Sequence, residues 1–325
     1  MSGPSRNEIH AAAAMLRGAV LETPVLPLTS HRWGGTLPDC ASVTVKLELF
    51  QQTGSFKARG VLLGIRKLTQ DQRKAGVVAA SGGNHALAVS WAAHAAGVDA
   101  VICMPSTVDP SRITGCKDLG ATVELYDDMP AAFAAMNAAA DGGRTLMHPF
   151  EGSHMTLGAA TCGLEYVDQA PQIDTFVVPI GGGGLISGMA CAIKQLRPDA
   201  TVIGVEPYGA DAMFRSFEAG RPVTLDRIDT IADSLSAPYA LPYSFSVAKT
   251  YVDRVVRVDD DELRHAMNHY QRILRLTAEP ACAASLAALL GPLRDVLGGR
   301  HVGIIACGSN ISISRYTAIM GDLAQ

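Results

Sequence analysis

Short apolar runs rich in β-branched residues alternate with longer Ala- and Leu-rich stretches along most of the chain. The short runs predict strands at 43–48, 76–81, 100–105, 121–126, 145–150, 175–180, 201–207, 254–259 and 301–307. Apolar residues at helical spacing predict helices at 84–96, 110–119, 130–140, 156–168, 184–196, 260–275 and 280–297. Most of the strand runs are apolar throughout, the pattern of strands buried on both faces. Strand–helix alternation of this kind predicts an α/β fold with parallel sheets covered by helices. The most apolar stretch, 85–105, is broken by His85, His94, Gly97 and Asp99. It reads as a buried helix running into a strand, not as a membrane span. The longest irregular stretches are 148–155 and 220–250, and long loops in such folds often carry function. One more helix is expected after the last strand, with no further regulatory domain.

Composition narrows the class. A chain of 325 residues suits one large domain or two modest ones. With 48% hydrophobic and 18% charged residues, it reads as soluble and globular, not disordered. A net charge of −4 gives no reason to expect nucleic acid or an anionic membrane as partner. The seven cysteines form no CxxC pair, so no zinc signature is present. Their odd number, without a charged-then-apolar leader, predicts a reducing, cytoplasmic setting.

Four stretches can carry chemistry. In "PIGGGGLISG" (179–188), an apolar strand enters four glycines and a helix follows. Amides freed by the glycines, at the positive end of a helix, make a phosphate cradle. The dinucleotide spacing fails from Gly181 and from Gly182, and no Gly-Lys-Ser/Thr follows, so a smaller phosphorylated cofactor is expected. In "SGGNHALA" (81–88), Ser81 and the amides of Gly82 and Gly83 suit a carboxylate. On spacing alone, Asn84 is either a helix cap or a ligand. In "CGSN" (307–310), Cys307 ends the last strand, on the side where ligands of open α/β sheets bind, or is a core residue. In "TGSFKARG" (53–60), Lys57 stands at a helix start. An amine at the floor of a pocket loses solvation, and its lowered pKa makes it a nucleophile toward an aldehyde. A phosphate cradle, a carboxylate cradle and a buried lysine together ask for pyridoxal 5′-phosphate and an amino acid.

These motifs, in this order and with "VEP" at 205–207, resemble the fold-type II pyridoxal-phosphate enzymes, in particular the threonine/serine dehydratase and serine racemase branch. The resemblance covers nearly the whole chain. It implies the tryptophan synthase β-like fold, with two open, twisted, mostly parallel sheets covered by helices. It implies a large cofactor domain from 1–72 and 147–325, and a small mobile domain, 73–146, that closes over substrate. Lys57 would bind the cofactor as an imine and later act as general base. Phe56 would pack on the ring, and Asn84 would bond its 3′-oxygen. Gly181, Gly182, Gly183, Gly184 and Leu185 would hold the phosphate. Cys307 would meet the pyridine nitrogen, and Glu279 would lie near the cofactor. Ser81, Gly82, Gly83 and His85 would bind the substrate carboxylate, with Phe150, His154 and Ala159 also at the substrate site. The resemblance also implies a homodimer.

The expected reaction is loss of the β-hydroxyl from an L-β-hydroxy amino acid of threonine/serine type, giving a 2-oxo acid and ammonia. The leaving hydroxyl would take its proton from the cofactor phosphate or from Lys57. Ala159 and His154 depart from the family pattern, so a bulkier or acidic substrate, such as phenylserine or hydroxyaspartate, is the alternative, with racemisation another. Glycine at 82 offers no side chain to deliver a proton to the second face, which favours elimination. A divalent cation (Mg or Ca) at Glu206 and Ala210 is expected to bind weakly, because Ala212 stands where a second carboxylate would be, with Asp211 next to it. A nicotinamide oxidoreductase conflicts with the glycine spacing, and a non-catalytic binder has no need of Lys57.

Overall fold

The strand pattern sorts into two sheets, in a computed structural model that describes residues 2–324. The ten strands are β1 (Val25–Leu28), β2 (Ser42–Lys46), β3 (Val77–Ala80), β4 (Ala100–Pro105), β5 (Thr122–Tyr126), β6 (Thr145–Leu146), β7 (Thr175–Pro179), β8 (Thr201–Pro207), β9 (Arg254–Val258) and β10 (His301–Ile305). One sheet has the order β1-β2-β10-β7-β8-β9, the other β5-β4-β3-β6. All pairs are parallel except β1 with β2. The interior strands β3, β4, β7 and β8 are almost wholly buried, as their unbroken apolar runs require.

All nine expected strands are present, mostly trimmed at their ends. β6 keeps only two residues of 145–150. Pro149 offers no N–H to a ladder, and the His148 ring instead accepts from the N–H groups of Phe150 and Glu151. β1 was not expected. It carries Pro27 and lies at the sheet edge, where a strand tolerates proline. The helices Arg6–Leu16, Gln70–Ala75, Ala212–Ala219 and Pro242–Tyr251 also escaped the periodicity. The 280–297 helix stops at Leu290; Gly291 follows, where an added Cβ would meet Glu262 Oε1 at 2.2 Å. The 260–275 helix changes to a π turn at Tyr270.

Helices behind the site approach closely through glycine. A Cβ on Gly158, in helix Ser153–Gln169, would lie 2.3 Å from the Gly60 backbone of helix Lys57–Arg66. Below helix Lys57–Arg66 lies a buried knot of charge. Arg59 donates Nε and Nη2 to the two oxygens of Glu48 at 2.8 and 2.6 Å, and its Nη1 meets Glu165 at 2.9 Å. Lys46 pairs with the other oxygen of Glu165 at 2.5 Å and donates to the Thr23 carbonyl. Burial raises the Glu48 pKa, but the charge and hydrogen bonds of Arg59, the Thr23 hydroxyl and the Lys46 charge together outweigh it, so the carboxyl is held below its ordinary value and stays ionised. Each of these charges has a partner, the condition for keeping it inside.

Candidate active site

Lys57 opens its helix beside the end of β10. Ser55 bridges to Gly308, and the Phe56 N–H donates to the Cys307 carbonyl at 3.2 Å. The chain before the lysine is thereby stitched to the last strand. Lys57 Nζ donates to the Pro149 carbonyl at 2.5 Å and lies 5.1 Å from the centre of the Phe56 ring. Burial lowers its pKa to about 8, against the pull of Cys307 and Glu279. It lines a cavity of about 520 Å³.

The 181–184 loop leaves β7 and runs into helix Gly184–Leu196, with Gly183 at φ +93°. A Cβ on Gly182 would lie 2.1 Å from Phe150 Cγ, and one on Gly181 would lie 3.1 Å from Leu235 Cα. Side chains are therefore excluded. The N–H groups of Gly181, Gly182 and Gly183 donate to no carbonyl among the described residues. Unpaired amides at a helix start are an anion cradle.

The 81–85 loop leaves β3 opposite. Ser81 N–H donates to the Cys103 carbonyl, and Gly83 N–H to Ser81 Oγ at 3.1 Å. Asn84 does not cap its helix, Asn84–Ala96. Its Nδ2 donates to Glu279 Oε1 at 2.6 Å, and its Oδ1 accepts from Asn310 Nδ2 at 2.7 Å. Glu279 is buried and pushed up to about 7 by desolvation and by Asp233, with Arg112, Asn84 and Ser234 opposing. His85 Nε2 meets the Met147 carbonyl at 2.8 Å; burial, then Lys57, drives its pKa well down and keeps the ring neutral. The Cys307 thiol is driven up by Cys282 and by burial, so it is neutral.

The cavity wall brings together Phe56, Lys57, Ser81 to His85, Phe150, Gly181 to Leu185, Glu279 and Cys307. Two expected substrate residues lie elsewhere. His154 packs at Gly64, where an added Cβ would meet it at 3.1 Å, and burial lowers its pKa to about 4. Ala159 faces Gly188 in the neighbouring helix. The cation expected at Glu206 and Ala210 has no built ligand set. The Glu206 oxygens accept from the N–H groups of Met213 and Phe214 at 2.9 and 2.6 Å, and Asp211 pairs with Arg215 and Arg257. No group of three or more His, Cys, Asp or Glu able to hold a metal gathers among the described residues.

The structure adds residues with no local signal in the sequence. Val108, Met129, Phe133, Pro238 and Tyr239 make an apolar wall, and Arg112, Asp233 and Ser234 complete the cavity. Its rings are connected through His148: Phe133 lies 6.2 Å from His148, His148 meets Phe150 edge-on at 4.7 Å, and Phe150 lies 6.2 Å from Tyr239.

A desolvated amine between an amide cradle for phosphate and a second turn facing it defines an α/β enzyme built around a phosphorylated aldehyde. The chain belongs to the pyridoxal-phosphate dependent enzyme family, whose pattern matches residues 16–308. It is 43% identical over 319 residues to phenylserine dehydratase of Ralstonia pickettii, covering 98% of this chain and 97% of that protein. It is 38% identical over 280 residues to L-threonine ammonia-lyase of Thermotoga maritima, covering 86% of this chain and 69% of that one. Among solved structures, maize serine racemase matches with a TM-score of 0.89 at 34% identity, over 97% of this chain and 96% of that one. The two-sheet fold expected from the motifs is the fold found. The residues present fit the cofactor: the glycine cradle with free amides suits its phosphate, and the buried amine suits its aldehyde.

Proposed function

We propose that this enzyme is an ammonia-lyase for L-β-hydroxy amino acids with a bulky apolar, chiefly aromatic, β-substituent. The observation that carries the substrate class is the apolar wall of Val108, Met129, Phe133 and Tyr239 on the same cavity as Lys57. The likeness to phenylserine dehydratase supports it. An acidic substituent is disfavoured, because the Arg112 charge is already engaged by Asp233 at 2.9 Å.

When bound, the cofactor supplies an electron sink that acidifies the substrate Cα–H and allows the β-hydroxyl to leave. Lys57 takes the α-proton as base, and its lowered pKa suits that task near neutral pH. Amides of 181–184 would hold the phosphate, and the 81–85 loop the substrate carboxylate. Asn84, anchored by Glu279 and Asn310, would meet the ring oxygen. The neutral Cys307 thiol would face the ring nitrogen without protonating it, which favours loss of the β-group over transamination. The released enamine tautomerises and hydrolyses to the 2-oxo acid and ammonia.

In this reading, residues 73–146, which contain β3 to β6, form the smaller domain that closes over substrate and excludes water. The enzyme works as a cytoplasmic homodimer, a setting that suits its seven free cysteines. No helix among the described residues is long and apolar enough to cross a membrane. The test is 2-oxo acid release over a panel of β-hydroxy amino acids. Phenylserine should exceed threonine in kcat/KM by about tenfold or more. Equal values, or a preference for hydroxyaspartate, would overturn the substrate class; no release from any would overturn the lyase.

A further inference from the structure

Arg112 stands in helix Pro110–Asp118, after β4, and only 14% of its side chain is exposed. Its guanidinium makes three contacts at once. Nη1 donates to the Gly82 carbonyl at 3.1 Å and to Asp233 at 2.9 Å, and Nη2 donates to the Asn310 carbonyl at 2.9 Å. Gly82 follows β3 in the four-stranded sheet, while Asn310 follows β10 in the six-stranded one. The same helix is strapped a second time, by Ser312 Oγ donating to its capping residue Asp109 at 2.5 Å.

We propose that Arg112 is a positioning residue for substrate recognition: by pinning the Gly82 carbonyl it aims the Gly83 N–H at the substrate carboxylate. The inference rests on the reading that the 81–85 loop receives that carboxylate. The peptide between Gly82 and Gly83 is a rigid trans plane, so its C=O and N–H point in opposite directions. Holding the carbonyl on Arg112 turns the N–H away from Arg112, to the side where it now meets Ser81 Oγ at 3.1 Å. Glycine on both sides of that plane leaves little else to fix its rotation. A charge-assisted bond from the guanidinium does so. The other two contacts fix the guanidinium itself. Asp233 neighbours Ser234, which donates to Glu279, and Asn310 holds Asn84 through its side chain. Aim at the carboxylate is thereby linked to the residues placed for the cofactor ring. A planar fork reaches three acceptors in fixed directions; a lysine ammonium on a flexible stem does not.

The test compares each amino acid with its carboxamide, which lacks the negative charge, by spectral titration of the holoenzyme and by steady-state kinetics. Wild type should prefer the acid. Arg112→Ala should lose about 10- to 100-fold of that preference, with the cofactor bound and its absorbance unchanged. Arg112→Lys should lose a smaller part, and it serves if the alanine variant fails to fold. If wild type treats acid and amide alike, the carboxylate reading of the loop is wrong. If wild type prefers the acid and both variants that fold prefer it equally, the Arg112 proposal is wrong while the loop reading stands.

Discussion

Two glycine turns face each other across the cavity, and they are held by different means. Each follows a parallel strand and opens a helix. The 181–184 turn is enclosed mainly by backbone and by a buried ring: Cβ atoms added at Gly181, Gly182 and Gly184 would meet Leu235 Cα, the Phe150 ring and the Phe150 carbonyl at 3.1, 2.1 and 3.0 Å, while one at Gly183, itself at φ +93°, would meet the Met213 side chain at 2.7 Å. The 81–83 turn is enclosed by side chains: Val108 lies 2.3 Å from a Cβ on Gly82, and Arg112 lies 3.5 Å from one on Gly83. Backbone cannot move aside cheaply, whereas a side chain can be exchanged. The first turn is thus committed to one ligand shape, and the second can be retuned from outside. In the proposed reading, a fixed end would hold the cofactor and an adjustable end the amino acid, which suits an enzyme whose relatives bear the names of several substrates.

Lys57 is common to both ends, so its loss should be the largest effect. Lys57→Ala should lower 2-oxo acid formation by about a thousandfold or more. Borohydride reduction of wild type followed by peptide mapping should place the label on Lys57; a label on another lysine would remove the base from the scheme. Next comes the rigid turn. Gly182→Ala should weaken cofactor binding about 10- to 100-fold, read by equilibrium dialysis, because the methyl must displace Phe150. Gly83→Ala should leave cofactor binding unchanged. Equal losses would erase the contrast between the turns.

The adjustable turn gives a smaller effect with a remedy. Gly82→Ser should raise KM for the amino acid by about tenfold through its clash with Val108, and Val108→Ala in the same chain should restore most of it. No recovery would mean that the Gly82 backbone, not the side chain above it, is the constraint. The smallest effect concerns stability. Burial lowers the Lys57 pKa from an ordinary 10.5 to about 8. Between those values the unfolded chain binds a proton that the folded one has released, so stability rises with pH across that window. Below it, the folded protein carries the full burial penalty. Cofactor-free Lys57→Met should therefore melt roughly a few degrees above wild type at pH 7, with the gain fading toward pH 10.5. A variant that melts lower at neutral pH would argue against a desolvated amine.

Much of this site was legible because its chemistry sits in contiguous motifs. Lys57, the glycine loop, Asn84 and Cys307 announce themselves by their neighbours, and each lies where a strand or helix must begin or end. Arg112, Phe133, Asp233 and Tyr239 do not. Each is an ordinary residue of a helix or loop, brought to the cavity from distant parts of the chain. His154 and Ala159 show the reverse. Alignment to the family pattern puts them near substrate, but their faces of helix Ser153–Gln169 pack on neighbouring helices. The fold followed the same rule. Central strands buried on both faces were plain, while the edge strand β1, only four residues long and interrupted by Pro27, was not. Helix Arg6–Leu16 was missed although Ile9, Ala12 and Leu16 fall on one buried face, and its capping box of Ser5 and Glu8 was a local signal that could have found it.

The charge knot at Arg59 has a consequence for anyone rebuilding this catalyst. Arg59 is two residues beyond Lys57 on one helix, and its fork fits Glu48 and Glu165 in a single orientation. The knot works as an indexing pin: turn or slide the helix and buried ions lose their partners, so the amine has one bearing only. A hydrophobic replacement of the whole cluster could yield a sturdier fold with a less exact aim. Grafting the lysine motif onto another scaffold without its pin would transfer the nucleophile and leave behind its compass.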